Sequence, residues 1–195
     1  MIASCYPTLS AKSAERIGHG VADLLGRIGN LLLHPLQRGS MSVLQLTRAA
    51  YDAIRTNGEV TYPHECCGAL LGKPAAEGWQ VEASVEARNT RTDSARNRYS
   101  IAPAELVKIE REARERGLRI GGFYHSHPDH PAEWSQTDLA EAHWIGCSYI
   151  IVAVARGKAV AINSFLLAGK TEEDKRFVAE RIEILEPQKT QFESK

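Results

Sequence analysis

The sequence has no excess of charge of either sign, because its 24 Lys and Arg are matched by 24 Asp and Glu. A balanced chain gives no electrostatic reason to bind nucleic acid or an anionic membrane as its main partner. No apolar run is long enough to span a bilayer, and the Leu cluster Leu31 to Leu33 is too short for a signal-peptide core. Cysteine is sparse. Cys5, Cys66, Cys67 and Cys147 make no CxxC pair and no even spacing, so neither a disulfide framework nor a cysteine zinc knuckle is expected. Reduced thiols and a cytoplasmic location are the corresponding expectations. Repeats and low-complexity segments are also missing. What remains is 195 residues, 43% apolar and 25% charged, enough for one globular domain with a sizeable core.

Residues 1–40 differ from the rest. Ile17, Val21, Leu24, Leu25, Ile28, Leu31 and Leu32 recur at helical spacing, but Gly18, Gly20, Gly26 and Gly29 weaken such a helix and Pro35 ends it. This stretch carries no chemistry, and of three readings, a docking helix, a weakly ordered N-terminal extension or sequence upstream of a start at Met41, the last two are favoured. The domain proper is expected over 41–185, with a polar tail over 186–195.

Within the domain, Val43 to Leu46 reads as a short strand. Thr47 caps a helix running to about Asn57, with Ala50, Tyr51 and Ile54 inward and Asn57-Gly58 as its stop. Cys66 to Leu71 is apolar enough for a buried strand and puts Glu65 at its entrance. Trp79 to Ala87 alternates apolar and polar residues, as a strand with one wet face does. A polar loop over 89–97 leads through Pro103 into an amphipathic helix, Ala104 to Arg116, ended by Gly117. Leu118 to Tyr124 is the next strand, in which Gly121-Gly122 marks a close approach to a ligand or a neighbour. A helix from Ser135 to Trp144, a buried strand from Tyr149 to Ala155 and its hairpin partner Ala159 to Leu167 complete the expected elements. Their order predicts an α+β fold with a mixed, partly antiparallel sheet and helices against it.

The chemistry concentrates in YHSHPDHPAEWSQTD, Tyr124 to Asp138. On an extended chain residues two apart face the same side, so His125 and His127 can offer both imidazoles to one ion while Ser126 points away. A catalytic zinc takes three protein ligands and leaves a position for water; Asp138, in the first turn of the following helix, is the best-placed third. Glu65 is the candidate general base and Ser135 the candidate hydrogen-bond donor to the oxyanion. Each piece has an ordinary alternative. His-x-His is often a polar strand end, Ser135 to Asp138 also matches a capping box, and a lone Glu65 is commonly a solvated carboxylate. Cys66 and Cys67 are expected to pack as small apolar residues. HSHPDH also fits the string of two-metal lactamase-like hydrolases, with Asp129 and His130 as ligands, but His143 is the only histidine that follows. It is the conjunction of Glu65 with the downstream cluster that favours a single metal.

Glu65, then His125-Ser126-His127-Pro128, then Ser135 and Asp138, resemble the signature of the JAMM (MPN+) zinc metalloproteases. HECCGALLG, RYSIAP and GFYHSHPDHPAEWSQTD are similar to segments of the compact bacterial members, although Trp134 stands where proline is frequent. The resemblance implies a twisted mixed sheet with flanking helices of cytidine-deaminase-like architecture. It also implies one catalytic Zn2+ on His125, His127 and Asp138, with Glu65 as base and Ser135 supporting the tetrahedral intermediate. The implied activity is a zinc metallopeptidase or isopeptidase, cutting an amide bond at the C-terminal glycine of a ubiquitin-like or sulfur-carrier protein with a Gly-Gly end. Arg88, Arg91, Arg96 and Arg98 could meet an acidic carrier surface. The alternative from another class is a non-catalytic protein-binding scaffold of the same fold, which the intact ligand positions disfavour.

Overall fold

The computed structural model describes residues 42–91 and 94–187. The expected extension over 1–40, the start at Met41 and most of the polar tail lie outside the described residues. In chain order the elements are β1 (Val43–Thr47), α1 (Arg48–Thr61), β2 (Cys67–Ala75), β3 (Gly78–Ala87) and α2 (Pro103–Glu115). They continue as β4 (Arg119–Pro128), α3 (Gln136–Glu141), β5 (Ser148–Ala155), β6 (Lys158–Ala168) and β7 (Arg176–Leu185). The α+β class holds, with a mixed sheet packed by helices. The sheet goes further and closes into a barrel in the order β1-β3-β2-β4-β5-β6-β7. Strand β1 runs parallel to both β3 and β7, β4 runs parallel to β5, and the other pairs are antiparallel.

The strand that closes the barrel, β7, has no counterpart among the sequence expectations. Its one fully buried residue is Glu180, and its apolar residues, Phe177 and Ile182 among them, are only partly buried, so the apolar pattern is weak. The Glu180 carboxylate accepts hydrogen bonds from Ser42 Oγ at 2.6 Å and Ser164 Oγ at 2.7 Å, which joins the start of β1 to β6. A buried carboxylate is tolerable because both oxygens are satisfied.

Helix α1 also departs from expectation. Thr47 caps it as read from the sequence, its side chain accepting from the Ala50 N–H at 3.2 Å, but the helix passes through Asn57-Gly58 and ends at Thr61. Gly58 serves packing there, not termination: a Cβ on it would lie 3.1 Å from Val154 Cγ2. Asn57 is buried too and donates through Nδ2 to the Tyr124 hydroxyl at 2.8 Å, tying α1 to β4. Helix α3 is shorter than expected. Lys175 Nζ donates to the carbonyls of Ala140 at 3.0 Å and Ala142 at 2.7 Å, taking up groups that a longer helix would have used itself.

The core follows the two-residue period of β5. Ile150, Val152 and Val154 join the main cluster with Leu44, Leu46, Ile54 and Leu70, while Ile151 and Ala153 face a smaller cluster with Ala132 and Phe165. The close approach at Gly121-Gly122 is to neighbours: a Cβ would lie 2.5 Å from the Trp79 ring at Gly121 and 2.1 Å from the Ser148 carbonyl oxygen at Gly122. Among the described residues no helix is long and apolar enough to cross a membrane.

Candidate metal centre

Strand β4 presents the two histidines. In its parallel register with β5, His125 lies opposite Ile151 and His127 opposite Ala153, so both stand on the face of the smaller apolar cluster. Ser126 faces the other way. Its hydroxyl accepts the Cys66 N–H at 2.9 Å and its own N–H donates to the Cys66 carbonyl at 3.2 Å. Those two bonds fix the entrance of β2, where Glu65 sits, against β4.

The Nε2 atoms of His125 and His127 lie 3.0 Å apart, and they are 3.4 Å and 3.5 Å from Asp138 Oδ1 and Oδ2 respectively. Ligands about 2.0–2.2 Å from a tetrahedral zinc are separated from one another by roughly 3.3–3.5 Å; the two His–Asp separations fall in that range and the imidazole separation lies just below it, so this donor set fits such an ion once the two rings part slightly. Asp138 is held from behind. Its Oδ2 accepts the Ser135 N–H at 2.6 Å, while Ser135 Oγ accepts the Asp138 N–H at 3.1 Å. The capping box and the metal-facing carboxylate are therefore the same residues.

Electrostatics set the protonation states. Burial disfavours a charged imidazolium and lowers the pKa of His125 despite its contact with Asp138, which suits a neutral ligand. Burial acts the same way on His127, but the hydrogen bond and charge of Asp138 outweigh it and leave that pKa raised. For Asp138 burial opposes ionisation, yet hydrogen bonds from His125 and His127 hold the carboxyl far below its ordinary range. Glu65, 4% exposed, is pushed up to about 8 by desolvation, with His127 pulling it down and Asp138 pushing it further up.

Glu65, His127, Ser135 and Asp138 line one cleft of about 390 Å³, together with Arg98 and His130. The fold thus brings together His125, His127, Asp138, Glu65 and Ser135, from β4, the cap of α3 and the entrance of β2. Asp129 is not in the cluster. Its oxygens accept the Tyr62 hydroxyl at 2.9 Å and the Arg156 N–H at 3.1 Å, and with His130 it lines an adjoining hollow of about 680 Å³. Arg96 lines that hollow, whereas Arg91 is paired with Glu141 at 2.7 Å. Cys66 and Cys67 are buried free thiols, pushed up by burial to about 11 and about 12. Trp134 is packed on Phe177, ring centroids 5.7 Å apart. Sequence reasoning assigned nothing to Tyr99, whose ring stacks on His125 with centroids 4.7 Å apart. Its only sequence signal was its place in RYSIAP.

Comparison with known proteins places the family and the fold. Residues 47–180 match the family described as prokaryotic homologues of the JAB domain. A desampylase from Haloferax volcanii is 36% identical over 114 residues, spanning 56% of this chain and 80% of the relative. Two solution structures superpose: a protein from Desulfitobacterium hafniense with TM-score 0.64 and 26% identity, covering 74% of this chain and 94% of that one, and a protein from Salinibacter ruber with TM-score 0.55 and 35% identity, covering 75% and 93%.

Proposed function

Because the chain belongs to the family of prokaryotic homologues of the JAB domain, we propose that it is a zinc-dependent isopeptidase. Its substrate is an amide bond at the C-terminal glycine of a ubiquitin-like or sulfur-carrier protein. The observation that carries this reading is the convergence of His125, His127 and Asp138 on one point, with buried Glu65 on the wall of the same cleft. The likeness to a desampylase supports amide hydrolysis on a ubiquitin-like protein.

His125, His127 and Asp138 would hold the zinc. When bound, the ion supplies Lewis acidity that lowers the pKa of water to about 7. Glu65 takes the proton of the attacking water and returns it to the leaving amine. Desolvation raises the Glu65 pKa, and a cation held by the neighbouring ligands would oppose that and favour the carboxylate that takes the proton. Ser135 Oγ already accepts the Asp138 N–H, so the hydroxyl proton remains to donate to the substrate carbonyl oxygen as charge develops there. A Gly-Gly end suits the cleft because a chain without side chains lies close to backbone.

The test is Glu65→Gln, assayed on carrier proteins extended beyond their Gly-Gly end. The variant is expected to keep about one zinc per chain and to lose about 10²–10⁴-fold in kcat. Full activity would remove Glu65 from the mechanism. A purified wild type without metal, bound as well by carrier after His127→Ala, would point instead to the non-catalytic scaffold.

A further inference from the structure

A ligating histidine is ordinarily oriented by a hydrogen bond from the ring nitrogen that faces away from the metal. His127 has one, its Nδ1 lying 3.0 Å from the Pro131 carbonyl oxygen. His125 has none: its Nδ1 is buried without a hydrogen-bond partner. The group against its ring is Tyr99, stacked at 4.7 Å between centroids with the planes only 24° apart. We propose that Tyr99 is the positioning residue of His125, fixing the imidazole by stacking where the usual hydrogen bond is missing and thereby setting the metal affinity of the centre. This rests on the reading of His125, His127 and Asp138 as zinc ligands.

The stack does more than confine the ring. A metal draws electron density out of the imidazole it binds, and the electron-rich face of a phenol is attracted to an electron-poor partner. The contact therefore strengthens on metal binding, which makes Tyr99 a contributor to affinity as well as to geometry. Burial holds the phenol well above its ordinary pKa, so the ring stays neutral.

Tyr99 is itself clamped on both sides by one amide. Asn89 Nδ2 donates to the Arg98 carbonyl at 3.0 Å, and Asn89 Oδ1 accepts the Ser100 N–H at 3.2 Å. The Thr90 N–H donates to the Ser100 carbonyl at 2.9 Å, and a β-bridge joins Asn89 to Ile101. Asn89 Nδ2 also reaches the Glu65 carbonyl at 3.3 Å. A single side chain thus registers the stacked ring and the buried carboxylate against each other.

The experiment measures zinc affinity by chelator competition, and the visible spectrum of the cobalt(II)-substituted protein, for wild type, Tyr99→Phe and Tyr99→Leu, with circular dichroism to confirm folding. Tyr99→Phe keeps a π face and is expected to bind zinc within roughly threefold of wild type. Tyr99→Leu, which fills the space without a π face, is expected to bind about 10–100-fold more weakly and to shift the cobalt spectrum. Wild-type affinity in Tyr99→Leu, or an equal loss in Tyr99→Phe, overturns the proposal. Should Tyr99→Leu not fold, pentafluorophenylalanine at position 99 replaces it: its reversed quadrupole is expected to weaken zinc binding relative to Tyr99→Phe, and equal affinity overturns the proposal. A wild type that takes up no zinc overturns the metal reading itself, and the role of Tyr99 with it.

Discussion

Glu65 has a carboxyl at 4% exposure whose pKa rises from 4.5 to about 8, chiefly by desolvation, and this makes metal-free stability depend on pH. Between those values the native state keeps a proton that the unfolded chain has released. The native state therefore binds more protons, and its stability falls as pH rises from about 4.5 to about 8. In chelator-treated protein, Glu65→Gln should remove this loss, so its unfolding temperature should exceed that of wild type at pH 8 and approach it at pH 5. Parallel pH profiles for the two proteins would count against a buried, proton-retaining Glu65. Ser135→Ala is expected to lower kcat by about 10²–10³-fold through the lost donor. It should also cost about 1 kcal/mol of stability through the lost cap, measurable by urea denaturation. At this scale the candidate ligands were legible because His125 and His127 are two apart on a strand, and Ser135 and Asp138 are three apart at a helix start. Tyr99 was not legible, because its partner His125 is remote in sequence and a stack has no spacing rule.

Among elements, glycines in the strands record close packing. A Cβ at Gly68 would lie 2.3 Å from both Tyr124 Cε1 and the Val85 carbonyl oxygen, the one a packed ring and the other backbone. Gly68→Ala should therefore cost about 1–3 kcal/mol, read as a lower urea midpoint. An unchanged midpoint would mean that β2 can shift between β3 and β4. The same packing explains why α1 was expected to stop too soon. Asn57-Gly58 has the composition of a helix end, but Asn57 is engaged with Tyr124 and Gly58 with Val154. Local propensity was overruled by contacts that the local sequence does not contain. For α3 the stop comes from Lys175, which reaches the carbonyls of Ala140 and Ala142 from far along the chain.

For the whole molecule, a polar link reinforces the β1–β7 ladder that closes the barrel. Glu180 holds Ser42 and Ser164, and so connects β7, the start of β1 and β6. Glu180→Ala would remove the acceptor of the Ser164 hydroxyl and leave Ser42 only its 3.5 Å contact with the Glu77 carbonyl, and a loss of about 1–3 kcal/mol is expected. Because β4 lies three strands from either side of the β1–β7 seam, the zinc affinity of Glu180→Ala should match that of wild type. A fall in affinity alongside the loss of stability would show the seam and the metal centre to be coupled. Most of the strands were legible because their burial is periodic and apolar. The seam strand was not, because its one fully buried residue is a carboxylate and its apolar residues are only partly buried.

The sequence by itself picked out the candidate cluster. His125, His127, Ser135 and Asp138 lie within fourteen residues of one another, inside a strand and a helix start whose local periods dictate which side chains share a face. It also nominated Glu65 as a candidate base at a strand entrance, and the resemblance reinforced that choice, but nothing local ties Glu65 to a motif sixty residues away. The tertiary structure decided the rest. The paired hydrogen bonds between Ser126 and Cys66 bring Glu65 to the cleft, Tyr99 stacks on His125, and Glu180 reinforces the β1–β7 pairing that closes the barrel. Each of these is a contact between segments far apart along the chain, and sequence spacing carries information only about neighbours within a turn or a pleat.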